Sequence, residues 1–65
     1  MTLLSKKALE ILQANTDKQV FTNSILIEAG FSEETAKTAI KELDRSGYIF
    51  IETTYIDGSC RFSLL

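Results

Sequence analysis

Histidine and proline are absent from this 65-residue chain, and cysteine occurs once, at Cys60. Without histidine, the commonest general base and metal ligand is missing. One cysteine and no histidine exclude a structural zinc site, which needs several such ligands. A lone cysteine also builds no disulfide framework, a usage that fits a reducing compartment. No apolar stretch approaches the roughly 20 residues of a membrane span. A secretory signal is not visible: Lys6 and Lys7 follow two leucines, and charge returns at Glu10. The expectation is a cytoplasmic chain with no membrane segment, no cofactor, no metal and no small-molecule substrate. A basic excess is lacking too. Seven Lys and Arg stand against nine Asp and Glu, a net charge of −2, whereas phosphate neutralisation gives most nucleic-acid binders a positive balance.

The apolar fraction of 45% and charged fraction of 25% are ordinary for a globular domain. No repeat, linker or low-complexity tract divides the chain. It reads as one domain over residues 1–65, either a whole small protein or a trimmed domain. A core of that size is only marginally stable alone.

Leu4, Ala8, Ile11 and Leu12 recur at helical spacing. They predict a first helix over about Ser5 to Ala14, with Ser5 as N-cap and Leu9 at the edge of a broad apolar stripe. Asn15-Thr-Asp-Lys18 reads as a turn. Val20-Phe21 forms at most one short strand. Thr22 or Asn23 then caps a second helix, roughly Asn23 to Ala29, with Leu26 and Ala29 inward, Ile25 beside them and Gly30 just past its end. Ser32 caps a third helix reaching Ser46, and Phe31 staples onto Ala36. Glu33 and Glu34 occupy the first turn, where the helix dipole favours carboxylates. Ala36, Ala39, Ile40 and Leu43 make the buried stripe, and Gly47 ends the helix.

Tyr48 to Ile56 and Ser59 to Leu64 are rich in β-branched and aromatic residues. Asp57-Gly58 between them signals a two-residue hairpin turn of type I′. Such a turn pairs Ile51 with Leu64, Thr53 with Phe62 and Thr54 with Arg61. Ile49, Ile51, Phe62 and Leu64 then cover the helices, while Phe50, Ile56 and Arg61 take the other face.

Four features together resemble the winged helix-turn-helix superfamily: Thr22 opening the second helix, Gly30-Phe31-Ser32 in the turn, Leu43-Asp-Arg-Ser-Gly47-Tyr-Ile49 at the helix exit, and Asp57-Gly58 at the hairpin tip. The resemblance covers nearly all 65 residues and is nearest to compact single-domain bacterial or phage transcriptional regulators. It implies an α+β, mainly α, fold of three helices plus a C-terminal β-hairpin wing. It further implies that the third helix enters the major groove of double-stranded DNA, that the wing touches backbone or minor groove, and that the start of the second helix holds a phosphate. Carried over by position, Ser32 and Thr22 match phosphate-contacting caps, and Thr35 and Lys37 match groove-facing positions. Thr38 stands where many members keep an arginine for guanine, and Glu33 and Glu34 where small polar or basic residues are usual.

The residues themselves leave alternatives open. On a wheel of about 100° per residue, Glu34, Thr38, Lys41 and Arg45 centre opposite the core, and Lys37, Lys41 and Arg45 form an i, i+4, i+8 row. That row is either a basic stripe on a DNA-reading helix or a solvated face with ordinary glutamate–lysine pairs. Arg61 either grips a phosphate or pairs with Glu52. Thr22 and Asn23 cap a helix and can also donate to phosphate. Leu9, Phe50 and Ile56 are candidates for a homodimer or other protein interface. Two functions follow. One is a DNA-binding regulator using Thr22, Asn23, Ser32, Thr35, Lys37, Thr38, Lys41, Arg45 and Arg61. The other is a protein-interaction module that modulates a polymerase, repressor or nucleoprotein complex. No Ser/His, Cys/His or phosphate-loop arrangement suggests an enzyme.

Overall fold

The computed structural model describes residues 1–65. Three helices and a three-stranded antiparallel sheet make an α+β domain. In chain order they are α1 (Leu3–Gln13), β1 (Phe21–Thr22), α2 (Ser24–Glu28), α3 (Glu33–Arg45), β2 (Ile49–Thr54) and β3 (Cys60–Leu64). None of the helices is long and apolar enough to cross a membrane.

The longest helix, α3, begins where its sequence says. Ser32 is extended, and its hydroxyl accepts the Thr35 N–H at 3.1 Å, satisfying one of the donors that a helix start leaves free. Ala36, Ala39, Ile40 and Leu43 are all buried, and this stripe packs against α1, α2 and β2. Gly47, at φ +80°, ends the helix in the left-handed region that side chains disfavour. The Tyr48 N–H then bonds back to the Leu43 carbonyl.

The other helices depart from expectation. α1 starts earlier than Ser5, with Thr2 as its cap. Ser5 is instead 1% exposed and belongs to the buried stripe with Ala8 and Leu12, while Leu4 turns outward at 49%. A serine suits this place because its hydroxyl is satisfied: the Thr2 hydroxyl donates to it at 3.1 Å. α1 packs on α3, and both helices bury small residues, Ser5 and Ala8 on one and Ala36 and Ala39 on the other. α2 is little more than one turn, so Leu26 reaches the core but Ala29, its C-cap, is exposed.

Asn23 precedes α2 without capping it by a side-chain bond. It is 4% exposed, and its Oδ1 accepts the Cys60 N–H at 2.9 Å. The side chain thus supplies a bond to β3 just where β1 has ended. β1 itself pairs Phe21 with Phe62 and Thr22 with Arg61. The two phenyl rings sit 5.9 Å apart at a tilt of 31°, a favourable aromatic pair.

The sheet order is β1-β3-β2. The hairpin loop is not the two-residue type I′ turn. That turn needs positive φ at both central residues, and Asp57 is not in that region; only glycines are. Gly58 donates to the Tyr55 carbonyl at 2.9 Å, and Tyr55 donates to Ser59 at 2.8 Å. The loop is therefore Ile56 to Gly58, three residues closed by a left-handed glycine. A bulge between Ile51 and Thr53 adds a second shift, giving Ile49↔Leu64, Ile51↔Phe62, Thr53↔Arg61 and Thr54↔Cys60. The expected pairings are wrong, yet the faces are right. Two one-residue shifts restore parity, and Ile49, Ile51, Phe62 and Leu64 still share the inner face.

Asn23→Ala should leave the buried Cys60 N–H without its partner and cost about 1–3 kcal/mol. Urea melts of the two chains measure it. A difference near zero would show that the bond adds nothing to the fold.

Candidate nucleic-acid interface

Two contacts bracket α3. On one flank, the Thr2 backbone N–H donates to Glu42 Oε1, joining the start of α1 to the second half of α3. On the other, half-buried Lys37 donates from Nζ to the Asp57 carbonyl at 2.7 Å, tying the hairpin tip to the first half of α3. A Cβ at position 58 would lie 3.4 Å from that ammonium. That is an ordinary contact with a flexible side chain, so it is the turn, at φ +88°, that calls for glycine at position 58.

A carboxyl near each contact is held below its ordinary range. For Glu42 the chief cause is the Thr2 N–H, opposed by partial desolvation and assisted by the Ser5 hydroxyl and the N-terminal charge. For Asp57 the chief cause is the Ser59 hydroxyl at 2.6 Å, then the Ser59 N–H at 3.0 Å. Desolvation opposes these, and the Lys37 charge assists.

Between the brackets, Glu34, Thr38, Lys41 and Arg45 are exposed along one row of α3. The Thr38 hydroxyl donates to the Glu34 carbonyl at 3.0 Å, so it offers only lone pairs to a ligand. The Ser32 hydroxyl donates to Thr35 Oγ1 at 2.7 Å while accepting the Thr35 N–H. Its proton is committed, whereas that of half-buried Thr35 is not.

Of the remaining sequence-predicted residues, Asn23 lines a pocket with Lys37, Asp57 and Ser59, and the others lie elsewhere. Asn23 is buried, and its Oδ1 is committed to β3. Arg61 is exposed on β3 between the buried Cys60 and Phe62, so it projects from the sheet face turned away from the helices. Its neighbour across the β1–β3 ladder is Thr22, whose hydroxyl lies 2.7 Å from that of Ser24. The structure thus gathers Ser32, Thr35, Lys37, Thr38, Lys41 and Arg45 on α3 and leaves Thr22 and Arg61 on another side. The three apolar interface candidates also separate. Leu9 is half-buried against the core, Ile56 is fully exposed at the hairpin tip, and Phe50 is 55% exposed on the outer sheet face.

Sequence reasoning missed the Lys37 clamp, because no local pattern announces a contact spanning 20 positions. It also missed the Thr2–Ser5–Glu42 group, although the placement of Ser5 one turn before Ala8 and two before Leu12 was a usable signal. A groove between α1 and the α2–α3 turn, lined by Leu4, Lys7, Ile11, Phe31 and Thr35 among others, was likewise unforeseen. No family model matches this chain, and neither a curated protein nor a solved structure matches it significantly.

A carboxyl held below its unfolded value stabilises the fold above that value, and the contribution disappears as pH falls through the folded one. Glu42 and Asp57 should therefore weaken the fold on acidification below about pH 4.5, the ordinary carboxylate range. Glu42→Gln and Asp57→Asn should each flatten the acid limb of a melting-temperature curve. Limbs as steep as in the parent chain would mean that neither carboxylate contributes.

Proposed function

We propose that this chain is a winged helix-turn-helix domain that binds double-stranded DNA, with α3 as the reading helix and the β2–β3 hairpin as the wing. The observation that carries this reading is the exposed row Thr38, Lys41 and Arg45 on α3, flanked by a hairpin tip that Lys37 holds in place. Two helices, α2 and α3, joined by a short turn with Gly30 at φ +107° support it as well.

Local charge is less adverse than the net −2 implies. Glu42 faces α1 and is occupied by the Thr2 N–H. Asp57 is occupied by Ser59. Glu34 and Thr38 then act as acceptors, suited to the amino groups of cytosine and adenine in the major groove. Lys41 and Arg45, in the later turns, hold phosphates. Lys37 keeps its charge near the backbone while positioning the wing. Arg61, on the outer sheet face, has no part in this interface. In this reading the protein regulates transcription in the cytoplasm of a bacterium or of a phage host, and it catalyses nothing.

Fluorescence anisotropy with labelled duplexes tests the proposal. Two or three phosphate contacts should give a log–log salt slope of about −2 to −3. Reversing both charges, Lys41→Glu with Arg45→Glu, should abolish binding. Silence at about 50 mM salt, where counterion release is most favourable, would overturn the reading, as would unchanged affinity in the double variant.

A further inference from the structure

The outer face of the sheet is divided along the strands. Alternation and the register settle what it carries. Inward go Ile49, Ile51, Phe62 and Leu64; outward go the residues between them. At one end Tyr48, Phe50 and Leu65 are 44%, 55% and 80% exposed. Tyr48 and Leu65 are joined by the Leu65 N–H to the Tyr48 carbonyl at 3.0 Å. Phe50 lies opposite the small Ser63. At the other end the bulge places Glu52 with Thr53 against Arg61. One half is apolar, and the other carries one charge of each sign.

We infer that this face docks a second copy of the same chain, about a two-fold axis running along the strands between β2 and β3. A two-fold contact must be complementary to itself. Rotation about that axis lays β2 of one copy over β3 of the other at the same level. Tyr48 then meets the partner's Leu65. Phe50 meets the partner's Ser63, large against small. Glu52 meets the partner's Arg61, and each contact occurs twice. An axis across the strands would instead set the apolar end on the charged end. The arrangement is the aligned packing of two sheets, with strand directions within about 30°. It gives an apolar patch a polar rim. A three-stranded sheet this short buries less than about 1,200 Å² in total, which marks a weak, reversible association. The inference does not rest on DNA binding, because the faces differ: α3 packs on the inner side, and its exposed row stays open in the pair.

Sedimentation velocity over a concentration series, up to about 1 mM, reads the association directly. Dimer should accumulate with concentration. Phe50→Ser should weaken it. Glu52→Arg or Arg61→Glu should each weaken it at least about tenfold, since like charges then meet twice. Mixing the E52R chain with the R61E chain should restore association, because each copy then offers the charge the other needs. An intrachain pair cannot produce that rescue. Circular dichroism checks that each exposed-site variant keeps its fold. A chain that stays monomeric throughout would overturn the inference. So would a dimer indifferent to these changes, or one whose single variants fail to rescue each other.

Discussion

Ala36, Ala39, Ile40 and Leu43 form one stripe on which the rest of the fold depends. α1, α2 and β2 all pack on α3, and these four side chains are its entire buried face. Only 13 of 65 residues are buried, so no second core can compensate. Removing a side chain the size of Leu43 costs roughly 2–5 kcal/mol, comparable with the whole stability of a domain this small. The two alanines matter for the opposite reason. They add little bulk to the side of α3 on which α1 packs, and Thr2 at the start of α1 bonds to Glu42 of α3.

A helix that gives one face to three neighbours has one face left. The polar contacts on its flanks decide what that face presents. Glu42 is drawn toward α1 and Lys37 toward the hairpin tip, so the free row is Glu34, Thr38, Lys41 and Arg45. The same burial separates two surfaces. The helices cover the inner face of the sheet, and the outer face, with Phe50 and Arg61, looks the opposite way. The proposed DNA contact and the proposed self-association therefore use different sides of the molecule.

Most of the fold was legible because it is locally encoded. Ser32, the four-residue stripe and Gly47 set α3 without reference to anything distant. The inner and outer faces of the hairpin were legible for the same reason, since alternation survives two compensating shifts. The pairings themselves were not. Asp57-Gly58 is compatible with two loop lengths, and nothing in Ile51-Glu-Thr53 announces a bulge. Asn23 was misread because an amide before a helix is usually a cap. Its commitment to Cys60 depends on β1 ending at Thr22, a fact of tertiary structure. Arg61 was placed on the correct face of the hairpin, and the register sets it opposite Thr53 and Thr22.

The central claim is that α3 and the tip that Lys37 holds form one binding surface, distinct from the outer sheet face. Backbone amide shift mapping of labelled protein titrated with duplex DNA tests it most directly. Changes should concentrate from Glu34 to Arg45 and at Asp57 and Gly58, with Phe50, Ser63 and Leu65 unmoved. Changes centred on the outer sheet face, with α3 silent, would contradict it.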